Sequence, residues 1–245
     1  MTQIEGRNPA LETLRRGGVR KLLIAQGTTE DPKVKEIIEL AKQRHAPIDY
    51  VDKTELDKMS ETRHHQGVIA IVETPDYVPL SRIVEKAGRT PCIIILDGVQ
   101  DPQNLGSILR TADATGVDVV LVPKKEGVGL TPTVLRVSMG GVAHVPVARE
   151  SIYPALKLLR DEDIKLIAVD SSGDHDLWSE DLSGAVALVF GGEGEGISPT
   201  LLDKCDSVIR IPMQGHVTSL NVGVSAAVVL YERLRQIDAK RPRRA

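Results

Sequence analysis

The 245 residues predict an α/β protein built of two unequal units. Three observations carry this. Short apolar segments rich in Val, Ile and Leu alternate with longer segments of helical periodicity along the whole chain. Beyond residue 91 the strand segments are almost continuously apolar, as in a parallel sheet covered on both faces. Between the units the pattern loosens, and Pro75, Pro79, Gly88 and Pro91 punctuate the chain. The expected architecture is a small N-terminal α/β unit over residues 1–74, a linker over 75–90, and a parallel-sheet domain over 91–245.

In the first unit, Ile4–Arg16 predicts a helix with Asn8-Pro9 as its start signal and Ala10, Leu11 and Leu14 on one face. Gly17-Gly18 ends it. Lys21–Gln26 reads as a strand. Asp31 is placed as an N-cap ahead of Pro32, and Val34, Ile37, Ile38 and Ala41 form the stripe of the next helix. Strands at Ile48–Val51 and Val68–Glu73 flank a short helix at Lys53–Ser60. One further short helix, Leu80–Ala87, falls in the linker.

The second unit alternates more clearly. Strands are expected at Cys92–Leu96, Val117–Val122, His144–Val147, Ile164–Val169, Ala185–Phe190 and Ser207–Ile211. Helices are expected at Pro102–Thr115, Thr133–Ser138, Ile152–Asp161, Pro199–Lys204 and Leu220–Ile237. In the last of these, Thr218 or Ser219 is placed to cap the helix, with Asn221 in its first turn.

Composition narrows the function. With one Phe, one Trp and four Tyr, the chain is poor in aromatic platforms for stacking bases. Net charge is −3, so attraction to nucleic acid rests on local patches, such as the basic tail from Lys240 to Arg244. Counted to Arg89, the N-terminal unit with its linker is one charge basic and the remainder four charges acidic, pointing weakly to the former as the part that meets a polyanion. Cys92 and Cys205 are isolated, which suits free thiols in a reducing interior, and no cysteine or histidine spacing suggests a metal. His64 and His65 read as surface or hairpin residues. Without an apolar leader or a run near the ~20 residues that span a bilayer, the expectation is a soluble cytoplasmic protein with no membrane partner.

Ligands of a parallel sheet sit at the carboxyl ends of its strands, and three such ends carry unusual residues. Asp97 to Arg110 holds Asn104 and Arg110, which can face one side of a site, with Gly106 allowing close approach. Phe190 to Ser198 is rich in glycine but carries Glu193 and Glu195, which would repel a pyrophosphate and suit a neutral or cationic guest. Ile211 to Glu232 joins a strand end to a helix of small residues through a polar loop.

The three together are specific. Asn-x-Gly-x-x-x-Arg, Gly-x-Glu-Gly-x-Gly and Ile-Pro-Met…Ser-Leu-Asn-Val make the chain resemble the SpoU (TrmH-type) RNA 2′-O-ribose methyltransferases of the SPOUT superfamily. Gly6-Arg7-Asn8-Pro9 and His65-Gln66-Gly67-Val68 make the N-terminal unit resemble that family's L30e-like RNA-binding domain. The resemblance implies a deep trefoil knot, S-adenosyl-L-methionine as methyl donor, an RNA substrate and a homodimer through the last helix, where Ala226 and Ala227 allow close approach. It implies catalytic roles for Asn104, Arg110, Glu193, Ser219 and Asn221, and cofactor contacts at Gly191, Gly192, Ile211, Met213, Ser219 and Leu220. Within the family the likeness is nearest to enzymes that methylate a guanosine ribose in 23S rRNA. One departure stands out: Gly223 occupies a position where the family usually has serine. Alternatives are a tRNA ribose target, a non-catalytic RNA-binding assembly protein, and a nucleotide-dependent oxidoreductase using the Gly191–Gly196 loop.

Overall fold

The computed structural model describes residues 2–61, 63–88 and 90–241. Arg89 of the linker and residues 242–244 of the basic tail lie outside the described residues. The first unit runs β1 (Thr2–Glu5), α1 (Arg7–Arg16), β2 (Val19–Ala25), α2 (Pro32–Gln43), β3 (Ile48–Val51), α3 (Lys53–Met59) and β4 (Val68–Val72). Its sheet has the order β1-β4-β2-β3, with β4 antiparallel to both neighbours and β2 parallel to β3. The helix expected from Ile4 begins only at Arg7. Gly6 takes φ 99°, a left-handed conformation that stops a strand from running into a helix, and its N–H donates to Val68 O at 3.1 Å. Thr2–Glu5 is thereby free to pair with β4. Asp31 caps α2 as expected, accepting from Lys33 N and Val34 N.

A short helix, α4 (Leu80–Val84), opens the remainder. It packs on the larger sheet: Leu80 is fully buried with Ile93, Ile95, Val119 and Leu121, and Val78 N–H donates to Val147 O. The larger unit continues β5 (Cys92–Asp97), α5 (Pro102–Thr115), β6 (Val119–Pro123), α6 (Pro132–Val137), β7 (Val147–Glu150), α7 (Ile152–Asp161), β8 (Lys165–Val169), β9 (His175–Asp176), β10 (Val186–Gly191), α8 (Pro199–Leu202), β11 (Ser207–Arg210) and α9 (Val222–Lys240). All pairs in its seven-stranded sheet, ordered β7-β6-β5-β10-β8-β11-β9, are parallel.

The continuous hydrophobicity of the central strands has a direct cause. Ile94, Leu96, Leu188 and Phe190 point to one face, where α5 and α9 bring Leu105, Ile108, Leu109, Ala226 and Val229. Ile93, Ile95, Ala187 and Val189 point to the other, against Ala155, Leu156 and Leu159 of α7. Both faces are core, so no polar alternation is needed. β7 starts at Val147 rather than His144, because Gly140 at φ 90° and the tight turn Gly141–Ala143 occupy the preceding stretch. The two-residue β9 is too short to show a periodicity and was not anticipated.

Glu180 anchors β9. Its carboxylate is buried and accepts from Lys165 Nζ at 2.5 Å, and it meets His175 Nε2 at 2.8 Å. Burial alone would raise its pKa, but the hydrogen bonds from Lys165 and His175 outweigh burial and hold it below the ordinary glutamate value. A carboxyl depressed in the folded state contributes stability above its unfolded pKa and loses it as pH falls through the folded pKa. Urea midpoints measured from pH 6 down to pH 3 should therefore fall less steeply in Glu180→Gln than in the wild type.

Candidate active site

α5 is aimed at the carboxyl edge of the sheet by its first turn. Asp101 Oδ1 accepts from Gln103 N at 2.8 Å, and Pro102 occupies the first helical position. Gly106 does allow a close approach, by protein rather than ligand: a Cβ there would lie 2.6 Å from Val137 Cβ. The end of α6 thus packs directly on α5 two residues beyond Asn104, which is buried at 6% exposure.

α9 starts at Val222, and its cap is Asn221 rather than Thr218 or Ser219. Asn221 Oδ1 accepts from Gly223 N at 2.9 Å and Val224 N at 3.3 Å. This fixes the amide's orientation, because its oxygen is committed to the helix. Asn221 Nδ2 then donates to Asn104 Oδ1 and to Glu193 Oε1, both at 2.9 Å. Asn104 Nδ2 donates to the same Glu193 Oε1 at 2.8 Å. Residues from α5, the loop after β10 and the cap of α9 close a triangle. Glu193 Oε2 has no partner among the described residues, so an exposed carboxylate oxygen is held by two amides and left able to accept a proton or hydrogen bond.

The loop after β10 is formed by backbone pressed against backbone. Gly192 N–H donates to Asp97 O at 2.6 Å, and Ser198 N–H to Asp97 Oδ2 at 2.9 Å. A Cβ on Gly191 would fall 2.1 Å from Gly196 C, and one on Gly192 would fall 2.2 Å from Gly98 O. Beside this loop opens a cavity of about 930 Å³. Gly191, Gly192, Glu193, Ile211, Met213, Ser219, Leu220 and Asn221 all line it. Asn104 stands behind Glu193 and Asn221. Arg110 does not reach the cavity: six residues along α5 carry it about 120° around the helix axis from Asn104, onto an exposed face where it has no ion pair among the described residues. Asp170, Ser171, Asp176 and Arg210 also line the cavity and were missed, although Asp170 closes β8 at the sheet's ligand-binding edge.

Several other groups fall outside the chemistry. Burial pushes the Cys92 and Cys205 thiols up to about 11, so neither supplies a thiolate near neutral pH. His65 is buried, bonding Asp57 Oδ1 through Nε2 and accepting from Gly67 N at Nδ1, which makes it a turn clamp rather than a surface residue. Among the described residues there is no group of three or more His, Cys, Asp or Glu side chains placed to hold a metal ion, and no helix is long and apolar enough to cross a membrane.

The family model for SpoU rRNA methylases matches residues 91–231, and a model for RNA 2′-O ribose methyltransferase substrate binding matches residues 3–78. The chain belongs to the SpoU rRNA methylase family. As a member it is an S-adenosylmethionine-dependent RNA 2′-O-ribose methyltransferase. It is 39% identical over 236 residues to a TrmH family tRNA/rRNA methyltransferase of Bacillus subtilis, covering 94% of each chain. The SpoU methyltransferase AviRb from Streptomyces viridochromogenes, solved with AdoMet, superposes with a TM-score of 0.82 at 26% identity, covering 98% of this chain and 91% of its own. A structure concerned with 2′-OH methylation of C/U34 on tRNA aligns over 100% of its length but only 62% of this chain, at 28% identity and a TM-score of 0.57. The oxidoreductase alternative ends here.

The cavity of this SpoU methyltransferase suits its methyl donor on physical grounds. Apolar side chains of Ile211, Met213 and Leu220 offer a slot for a flat base, and backbone around Gly191 and Gly192 offers donors and acceptors. Asp170, Glu193 and Glu195 give the rim a negative bias that favours a sulfonium cation over a phosphate. The Gly223 departure also has a structural account. A Cβ there would lie 3.2 Å from Asn221 Oδ1 and from Ser107 Oγ, so the small residue lets α5 and the cap meet directly.

Proposed function

We propose that this SpoU methyltransferase methylates a guanosine ribose of 23S rRNA, as a cytoplasmic homodimer. Its RNA-recognition unit spans residues 1–74, a linker covers 75–90, and the catalytic domain covers 91–245. The observation that carries the choice of rRNA is the complete N-terminal unit. A substrate-binding family model covers it, whereas the tRNA-directed relative is the size of the methylase part alone. The reading extends to the trefoil knot. The all-parallel sheet and the superposition on a SpoU methyltransferase structure over 98% of the chain support it.

The bound donor supplies an electrophilic methyl group. The protein's part is to present a ribose hydroxyl to it, and proximity supplies much of the rate. Glu193 Oε2 accepts the hydroxyl hydrogen, while Asn104 and Asn221 hold the carboxylate still through Oε1. Ser219 lines the same wall and adds a hydroxyl within the reacting region. Arg110 is a poor base, because a guanidinium offers donors and no acceptor site for a proton. Its exposed guanidinium suits an RNA phosphate beside the reacting nucleotide. Arg110→Ala should raise the KM for RNA about tenfold and flatten its salt dependence by about one unit of slope, while leaving S-adenosylmethionine binding unchanged. Filter binding across a salt series checks this.

The dimer reading needs one correction. Ala226 is fully buried within its own chain, so it cannot line an interface. Val224 and Tyr231, each half exposed, instead mark the outward face of α9, with the partly buried Ala227 between them. Sedimentation of the wild type against Tyr231→Glu tests that face. Incubation with labelled S-adenosylmethionine and separate rRNA and tRNA pools tests the substrate: label confined to tRNA would overturn the rRNA reading.

A further inference from the structure

Asp170, Asp176 and Glu195 line the cavity outside the Asn104–Glu193–Asn221 triangle. Asp170 closes β8 and sits at its carboxyl end, next to β10 and β11. Its Oδ1 is occupied, accepting from Ser172 N at 2.9 Å and Ser172 Oγ at 2.7 Å. Its backbone N–H donates to Ile209 O at 2.9 Å, so the residue is fixed from both sides. Oδ2 has no partner among the described residues and lies 3.4 Å from where a Cβ on Gly196 would stand. The free oxygen is therefore held beside the glycine loop, in a residue that lines the cavity.

The other acidic groups of the cavity differ. Asp176 is paired with Arg210 Nε at 2.8 Å. Glu193 is held by Asn104 and Asn221 at the rim. Glu195 is exposed on the outer part of the loop. Asp170 is half-buried and rigidly oriented, and its Oδ2 has neither a hydrogen-bond partner nor an ion pair among the described residues. The walls beside it, Val169 and Phe190, are apolar and would not suit a hydrated ammonium group. A neutral hydroxyl donor fits that setting. An acidic residue at a strand end beside a glycine-rich loop is also where α/β enzymes commonly hold a ribose hydroxyl.

We propose that Asp170 Oδ2 accepts a hydrogen bond from a ribose hydroxyl of the methyl donor, making it a specificity-determining residue of the cofactor pocket. This rests on the reading of the cavity as the donor site. Asp170→Asn is the informative variant, because Oδ1 still takes both Ser172 bonds while an Nδ2 amide donor replaces the accepting Oδ2.

Calorimetry with S-adenosylhomocysteine and its 2′-deoxy and 3′-deoxy ribose analogues reads the interaction without turnover. The wild type should bind the natural ligand about tenfold or more tightly than one of the deoxy analogues, the value of one charge-assisted hydrogen bond. Asp170→Asn should weaken the natural ligand by a similar factor and bind both alike. Equal losses for natural and deoxy ligands, or wild-type affinity for both deoxy analogues equal to that for the natural ligand, would overturn the assignment to ribose. No binding of S-adenosylhomocysteine by the wild type would instead overturn the reading of the cavity itself. Asp170→Ala with unchanged affinity and unchanged thermal midpoint would also overturn the proposal.

Discussion

Asn104→Ala is expected to lower kcat/KM by about 10²-fold or more, with little change in the affinity for S-adenosylmethionine. The side chain is nearly buried and donates to Glu193 while accepting from Asn221, so it is the inner corner of the triangle. Removing it leaves Glu193 with one amide donor instead of two and Asn221 Nδ2 with one acceptor instead of two. The carboxylate then swings, and displacements near 1 Å in a reacting group cost about that factor. Because Asn104 stands behind the cavity wall, the donor's own contacts are preserved. Steady-state kinetics with calorimetry separates the two. An equal loss in donor affinity would place Asn104 in cofactor binding instead.

The second large effect is expected from Gly191→Ala. The new methyl would fall within 2.1 Å of Gly196 C and 2.4 Å of Gly196 O and Ile197 N, all backbone atoms with no flexible end to move aside. Overpacking of this kind costs about 1–3 kcal/mol and sometimes more. Here the strain falls on the hydrogen bonds that close the loop, Gly196 N to Gly192 O and Gly192 N to Asp97 O. The loop should open, with S-adenosylmethionine affinity falling below detection while the far-ultraviolet dichroism stays native. Gly184→Ala, where a Cβ meets nothing within 4 Å, is the control and should bind normally.

Much of the fold was legible because its determinants are local. α5 and α7 have the bounds that their apolar periodicity and caps predict, Pro102–Thr115 and Ile152–Asp161. The central strands are apolar on both faces because helices cover both faces. What was misread depended on partners distant in sequence. Thr2–Glu5 is a strand only because β4, more than sixty residues on, pairs with it. β9 exists because β11 accepts it and Glu180 ties it down. The site was legible as a set of residues and less so as geometry. Asn221 was expected inside the helix, yet its capping bond is what orients the amide toward Glu193. Arg110 shares a helix with Asn104 but not a face, and that separation turns it from a cavity residue into a candidate phosphate contact.

On the proposed reading, the cavity beside Asn104, Glu193 and Asn221 delivers a methyl group to a ribose 2′-hydroxyl of RNA. Mass spectrometry of nucleosides from unmodified 23S rRNA, treated with the wild type and with Asn104→Ala, tests it directly. The prediction is a 2′-O-methylguanosine that appears with the wild type and is strongly reduced with the variant. A methyl group found on a base, or an equal yield from both proteins, would contradict it.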